Sequence, residues 1–426
     1  MALTRRSQHL ILIGLLLLFG TVFVVRGPVR AVDGGEDLAH LYAASVLWLE
    51  GGNPYDGERC VEVMERVGHP DPSHVANGSF YPPSTIATLS VLGLMGWDAS
   101  RLAWLAVNLA CCAVLVWALA GWLQLDSAAS RWMAAVLILI AWGPVMTALS
   151  LGQLSITAAA GIFAGLICLE RGRPWLAGVL LAIGCLIKPQ LGLGFLVLVG
   201  LRRQWFALGI SVALIALVTG LGIWRLMVAA PDWASLLVGN IEQDQAPGQV
   251  LDASLGGPLR HQMIDIRPLL HLVLPTAWVN ISALLLVGVM AAVAIWRLLR
   301  VGLHRYALLA SAGVGLLVLL PVYHRVYDAT VLLPLLALVI NRLLCCRRDA
   351  LMVVIATLIL PLSLPLPSIL VVLNQRGVIP DSIHSAWFWE HVVLQHQSWC
   401  LLLASIALIA WTYRRAETEP VLAESG

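Results

Sequence analysis

Residues 205–229 read WFALGISVALIALVTGLGIWRLMVA, an apolar run that carries a single charged side chain, Arg225. A helix of about 20 mainly apolar residues is long enough to cross the hydrocarbon core of a bilayer. This run therefore predicts a transmembrane helix. Similar apolar runs recur along the chain, at residues 9–25, 84–97, 102–123, 132–148, 154–169, 175–187, 190–201, 278–298, 306–322, 328–344, 350–373 and 398–414.

The composition of the 426-residue chain also favours lipid as its solvent. Hydrophobic residues make up 60% and charged residues 12%, whereas soluble domains have about 45–50% and about 25%. The 26 Lys and Arg residues against 24 Asp and Glu residues give a net charge of +2. This charge is too small to indicate a nucleic-acid partner. We expect a single-domain, all-α polytopic membrane protein over residues 1–426.

The arginines predict a topology, because cytoplasmic loops of membrane proteins are rich in Lys and Arg. The arginine-rich loops all fall inside if the short run 84–97 is re-entrant or interfacial. About 12 transmembrane helices then leave both termini in the cytoplasm, including the tail 415–426. The loops 26–101, 230–268 and 374–397 lie outside in this arrangement. A topology in which 84–97 crosses and another short run does not stays open.

The first outer loop contains paired acids, Glu36 and Asp37, followed by apolar residues at helical spacing up to Glu50. This spacing predicts an amphipathic helix that lies on the membrane surface. At the start of that helix, Asp37 is either an N-cap carboxylate or a general base.

Lys188 is the only lysine in the chain, and it lies in an apolar stretch directly before Pro189. A cation inside apolar sequence is costly, so it marks a functional site unless the side chain reaches the interface. The proline predicts a break in the helix and unpaired backbone carbonyls.

Residues 321–328, PVYHRVYD, form a short polar connection between two apolar runs. A turn does not need so many ionisable and aromatic groups. His324 and Arg325 are suited to neutralise a phosphate, and Asp328 is suited to orient a histidine. As an alternative, Arg325 only anchors the connection at the interface.

Turn or helix-start chemistry is sufficient for three shorter motifs, although a functional role stays equally open for residues 80–83. Residues 51–56 (GGNPYD) break a helix, residues 80–83 (FYPP) suit a helix start, and Gly152-Gln153 suits a turn.

The ordered set of motifs resembles glycosyltransferase family 87, over about residues 30–345. This family comprises polytopic GT-C enzymes that use polyprenyl-phosphate sugars. The resemblance rests on Asp37-Leu…Tyr42-Ala-Ala, Gly52-Asn53-Pro54-Tyr55-Asp56, Tyr81-Pro82-Pro83, Gly152-Gln153, Ile187-Lys188-Pro189 and His324…Asp328.

The resemblance implies a GT-C-like bundle and an inverting transfer of a hexose, with mannose expected. The donor would be a polyprenyl-phosphate sugar in the plasma (inner) membrane, and a lipid-linked or glycan acceptor would meet it at the outer face. Asp37 would be the base, although the neighbouring Glu36 is a rival, and Lys188, His324 and Arg325 would bind the donor phosphate. No cofactor or metal is expected. Further substrate contacts are expected from Glu36, His40, Tyr42, Tyr55, Tyr81, Gln153, Tyr327 and Asp328.

Two other classes of membrane protein stay open at this point. A lipid or oligosaccharide transporter should show two matched halves, and none is evident in the sequence. An enzyme of the O-antigen-ligase type should carry its ionisable cluster in one large late outer loop, whereas the paired acids here lie in the first loop.

Overall fold

The computed structural model describes residues 5–301, 306–345, 349–384 and 386–418. Within these ranges the chain is helical and has no strand, apart from one isolated bridge between Met263 and Arg325. The predicted all-α class is therefore confirmed for the described part. The chain forms two compact units. The first unit consists of Met1–Lys188 and Val212–Asn240, and the second consists of Pro189–Ser211 and Ile241–Gly426.

Ten helices precede residue 188 in the described chain. They are α1 (Arg5–Arg26), α2 (Pro28–Asp33), α3 (Glu36–Glu50), α4 (Gly57–Arg66), α5 (Pro83–Leu89), α6 (Trp97–Trp122), α7 (Ala128–Ala141), α8 (Gly143–Leu151), α9 (Ser155–Glu170) and α10 (Pro174–Ile187).

The remaining described helices follow Lys188. They are α11 (Pro189–Leu201), α12 (Trp205–Ala229), α13 (Trp233–Gln245), α14 (Arg267–Leu270), α15 (Thr276–Val301), α16 (Ala307–Val318), α17 (Leu333–Cys345), α18 (Ala350–Ile359), α19 (Leu366–Gln375), α20 (Asp381–His384) and α21 (His396–Thr418). Short 3-10 or π turns lie at Pro72–Val75, Ser90–Leu94, Arg260–Gln262, Val326–Leu332, Leu360–Ser363 and Trp389–Val393.

Several helices are suited to cross a membrane. Among the described residues, five are long and apolar enough, and the number rises to seven if each of two bent pairs counts as one span. The predicted count of about 12 is not confirmed, because many apolar runs form helices of only 10–17 residues. At 1.5 Å per residue such a helix is shorter than a hydrocarbon core of about 30 Å. The chain is nevertheless a multi-pass membrane protein.

One predicted span is divided by a proline. The run 132–148 forms α7 and α8, which meet at an angle of 59°. Pro144 occupies the first turn of α8. A missing N–H is tolerated there, because the first amides of a helix have no intrahelical acceptor. The same proline prevents α7 from continuing through this position.

The predicted helix after Glu36 exists as α3, but it is not an amphipathic helix on a membrane surface. Ten of its residues are buried, on all sides rather than on one. The reason is the short segment Ser90–Leu94, whose Gly93 packs so closely that an added Cβ would lie 2.8 Å from the Ser45 backbone. The amphipathic helix of this loop is α4, which buries Cys60, Val63 and Met64 and exposes its charged residues.

Candidate active site

Helix α3 begins without a side-chain cap. Its N-cap residue is Gly35, which has the left-handed φ of 97° that glycine adopts without strain. The Gly35 N–H donates to the carbonyl of Ser150 at 3.3 Å. Asp37 lies in the first turn, and its carboxylate does not cap the helix. The N-cap interpretation of Asp37 is therefore wrong.

The Asp37 carboxylate is instead held by a residue from the turn before α9. The side-chain nitrogen of Gln153 donates to Asp37 Oδ2 at 2.5 Å, and Gln153 Oε1 accepts from Lys188 Nζ at 3.3 Å. Lys188 Nζ also donates to Ser155 Oγ at 3.0 Å. One amide thus joins an acid and the chain's only lysine. Gln153 and Lys188 are buried, whereas Asp37 is half-buried.

Gly152 brings Gln153 to α3. It has a φ of +68°, and a Cβ at this position would lie 2.9 Å from Leu38 Cβ. The Gly152 carbonyl accepts from the Trp104 indole N–H at 2.8 Å. Both the backbone conformation and the close approach to α3 require glycine here. The turn expected at Gly152 is therefore present, and it positions Gln153 beside α3.

Lys188 occupies the break between α10 and α11 that Pro189 was expected to cause. It ends α10, and its N–H donates to the Gly184 carbonyl at 3.1 Å. The last carbonyls of a helix lack intrahelical N–H partners, and Pro189 removes one further donor at this end. The Thr85 hydroxyl compensates, with contacts of 2.9 Å to the Leu186 carbonyl and 3.2 Å to that of Ile187. Thr85 was not found by sequence reasoning.

Two tyrosines expected at the site form a hydrogen-bonded series beside Asp37. The Tyr81 hydroxyl donates to the Asp37 main-chain oxygen at 3.3 Å, and the Tyr55 hydroxyl donates to the Tyr81 carbonyl at 3.0 Å. The Asn240 amide donates to the carbonyls of Tyr55 and Ser79 at 2.9 and 3.1 Å. Burial raises the pKa of Tyr55, which therefore stays a hydrogen-bond donor.

The other expected residues of the first loop differ in their surroundings. His40 Nδ1 donates to the Gly78 carbonyl at 3.0 Å, and the Tyr42 hydroxyl donates to the Met95 carbonyl at 3.0 Å. Both side chains are buried and connect α3 to neighbouring loops. Glu36 is exposed. Of the two adjacent acids, Asp37 is the one in contact with Gln153.

A second polar group of residues belongs to the second unit. His324 Nδ1 donates to Asp328 Oδ2 at 2.8 Å, and both residues are buried. The orienting contact expected from Asp328 is therefore present. The other ring nitrogen, His324 Nε2, is buried and has no hydrogen-bond partner in the described part of the chain.

The backbone around His324 is fixed by a loop that sequence reasoning did not single out. Asp265 Oδ2 accepts from the His324 N–H at 3.3 Å, and the Ile264 N–H donates to the His324 carbonyl at 3.0 Å. Asp265 is also paired with Arg267, with Oδ1–Nε at 2.9 Å and Oδ2–Nη2 at 3.1 Å. The sequence shows this pair only as an aspartate followed two residues later by an arginine, a spacing that could have indicated an ion pair.

Arg325 and Tyr327 lie beside this histidine in sequence. The Arg325 guanidinium carbon is 5.7 Å from the centre of the Tyr323 ring, and Tyr327 is buried. The structure thus brings Asp37, Tyr81, Gln153 and Lys188 together in the first unit. His324, Arg325 and Asp328 are grouped in the second.

No group of three or more His, Cys, Asp or Glu side chains among the described residues is arranged to hold a metal ion.

Comparison with protein families decides the class. The model of glycosyltransferase family 87 matches residues 80–322, which is more than half of the chain. The chain belongs to glycosyltransferase family 87.

As a family 87 protein, the chain is a membrane glycosyltransferase. The matched region contains Tyr81, Gln153 and Lys188, while Asp37 precedes it and His324 follows it. Neither the curated proteins nor the solved structures contain a match to the chain. The family favours a transferase over the transporter and ligase alternatives.

Proposed function

We propose that this glycosyltransferase moves a hexose, specifically mannose, from a polyprenyl-phosphate sugar to a lipid-linked or glycan acceptor. The transfer is inverting and takes place at the outer face of the plasma membrane, with both termini in the cytoplasm. Asp37 is the general base. The observation that carries the proposal is the Asp37–Gln153–Lys188 series of hydrogen bonds at the start of α3.

The chemistry proposed for Asp37 follows from its environment. The acceptor hydroxyl gives its proton to the Asp37 carboxylate while its oxygen forms a bond to the anomeric carbon. The bond from that carbon to the phosphate oxygen breaks, and its electron pair leaves with the polyprenyl phosphate. Gln153 contacts one carboxylate oxygen, and the half-buried position of Asp37 leaves it accessible to an acceptor. A base positioned in this way contributes about 10²–10⁴-fold to a rate.

Basic residues stabilise the charge that grows on the leaving phosphate. Lys188 is the candidate in the first unit, because it is already within hydrogen-bonding reach of Gln153, the amide that contacts Asp37. His324 is a candidate in the second unit, since Asp328 holds Nδ1 and Nε2 has no protein partner among the described residues. Arg325 adds a permanent positive charge next to it.

The proposed donor is tested with purified protein in vesicles. Polyprenyl-phosphate mannose labelled in the sugar is supplied with an extract of membrane lipids as acceptor, and the products are identified by mass spectrometry. We expect mannosylated product both with and without EDTA. The same protein with Asp37→Asn serves as control for contaminating enzymes. Transfer from GDP-mannose without any lipid donor, or loss of transfer on chelation, would contradict the proposal.

A further inference from the structure

The turn between α11 and α12 contains two adjacent arginines with unusual environments. Arg202 is 7% exposed. Its Nε and Nη1 are buried and have no hydrogen-bond partner among the residues that the structure describes. Two buried guanidinium nitrogens without a hydrogen-bond partner are unfavourable, since they have lost hydration and gained no hydrogen bond in return. An anion bound to Arg202 would remove this penalty.

Arg203 has a strained backbone. Its φ is +57°, and it is the only non-glycine residue with positive φ in the described chain. The turn makes the hydrogen bonds that commonly end a helix, from Arg203 N to Gly200 O at 2.8 Å and from Gln204 N to Val199 O at 3.1 Å. Glycine is the usual residue at this position because it adopts the conformation without steric cost. An arginine that occupies this position at such a steric cost points to a use for its side chain.

The residues that follow place this turn at a membrane interface. Trp205 and Phe206 begin α12, and each is 65% exposed. Exposed aromatic side chains at the end of an apolar helix are typical of the headgroup level of a bilayer. The arginines therefore lie where lipid headgroups are found.

An apolar cavity begins next to the same turn. It has a volume of about 470 Å³ and lies between α11, α15 and α16 of the second unit. Leu198 and Leu201 of α11 contribute to its wall, and Arg202 follows on the same side of the helix, four residues after Leu198. The volume is within the range of about 300–1,000 Å³ that small-molecule sites occupy.

We propose that the Arg202–Arg203 turn and the adjacent cavity form a binding site for an anionic glycerophospholipid. The lipid phosphate contacts Arg202 and Arg203, and one acyl chain occupies the cavity. Basic residues between membrane helices bind lipid headgroups by the same electrostatic attraction. The site is independent of the proposed sugar transfer, and its ligand is structural or regulatory rather than a substrate.

The test uses vesicles of phosphatidylcholine that contain a minor fraction of phosphatidylglycerol. Full-length protein is extracted from them in mild detergent, and retained lipids are counted by native mass spectrometry. We expect wild-type protein to retain phosphatidylglycerol in preference to phosphatidylcholine. Arg202→Gln should weaken this retention about tenfold or more, as expected for the loss of a charged contact. Arg173→Gln, in the exposed turn before α10, is the matched control and should retain the lipid normally.

Two further variants separate binding from folding. Gly313 lines the cavity and has open space around an added Cβ, so Gly313→Leu should fill the cavity and displace the acyl chain. Arg203→Gly removes the backbone strain, so it should unfold at a higher temperature and yet retain less phosphatidylglycerol. If Arg202→Gln fails to fold, the lipid retention of these two variants still tests the proposed site.

Three results would overturn the proposal. The first is equal retention of the two lipids by wild-type protein. The second is wild-type retention by the folded variants. The third is one-for-one displacement of phosphatidylglycerol by a polyprenyl phosphate at equal concentration, which would identify the cavity as a donor site.

Discussion

Gln153 donates a hydrogen bond of 2.5 Å to the carboxylate of Asp37, although the two residues are 116 positions apart in sequence. Its oxygen accepts from Lys188 at 3.3 Å. The amide orientation follows from these partners, because only its nitrogen can donate to a carboxylate and only its oxygen can accept from an ammonium. A neutral side chain therefore connects the acid and the cation that we assign to the transfer.

We predict that Gln153→Ala slows sugar transfer while the protein still inserts into membranes. The substitution removes the charge-assisted contacts to Asp37 and Lys188. Loss of one such contact costs about 1.5–3 kcal/mol, or roughly 10–150-fold in rate if it is made in the transition state. Thr157→Val is the matched control, since Thr157 also belongs to α9 but donates to Asn108 at 3.1 Å. Equal rates for the two variants, measured with the same donor, would remove Gln153 from the site.

We predict that Thr85→Val destabilises the protein by about 1–3 kcal/mol, because it leaves buried carbonyls at the end of α10 unpaired. The measurement is thermal unfolding in detergent. Thr88→Val is the control on the same helix, where the hydroxyl donates only to Ser84 within its own turn, and we expect a change of about 0.5 kcal/mol or less. A stable Thr85→Val variant would show that these carbonyls are satisfied in another way.

Sequence reasoning identified many of the residues that meet in the first unit, but not the contacts between them. Lys188 stood out because a single lysine in apolar sequence is costly. Asp37 stood out because it is one of two adjacent acids at the start of a predicted helix. The hydrogen bonds through Gln153 depend on how α3, α9 and α10 pack, which no local pattern contains. Thr85 carried no signal at all, since a hydroxyl that satisfies distant carbonyls looks like any other threonine.

The incorrect expectation for α3 has a related cause. Apolar spacing indicates which face is buried against one partner, but small residues on the other face allow a second partner to approach. The contact of Gly93 with the backbone at Ser45 is such an approach. Likewise, the predicted count of about 12 spans is not confirmed, because runs such as 154–169 form helices that are buried in protein and too short to cross alone.

We predict that His324→Ala reduces transfer about 10–150-fold if His324 contacts the donor phosphate. Asp328→Asn should have a smaller effect, because asparagine keeps a hydrogen-bond acceptor for Nδ1 but loses the negative charge. Initial rates at several donor concentrations provide the measurement. His391→Ala, a buried histidine of the same unit whose Nδ1 donates to the Trp387 carbonyl, is the control. Normal kinetics in His324→Ala would leave the histidine with a packing role only.

We predict that residues 26–101 lie wholly on the outer side of the membrane, with 84–97 interfacial or re-entrant from that side. Asp98→Cys, at an exposed position, should then react with an impermeant thiol reagent in intact cells. Asp126→Cys, exposed in the loop before α7, is the control and should react only after permeabilisation. Reaction of position 98 only after permeabilisation would mean that the segment 84–97 crosses the membrane.

The most direct test of the account compares Asp37→Asn with Glu36→Gln in purified protein, with turnover of polyprenyl-phosphate mannose and donor binding measured separately. Because asparagine cannot accept the proton, we predict that Asp37→Asn loses about 10²–10⁴-fold in turnover and still binds the donor, while Glu36→Gln stays close to wild type. Near-normal turnover in Asp37→Asn would contradict the central claim, and loss in Glu36→Gln instead would assign the base to the neighbouring carboxylate.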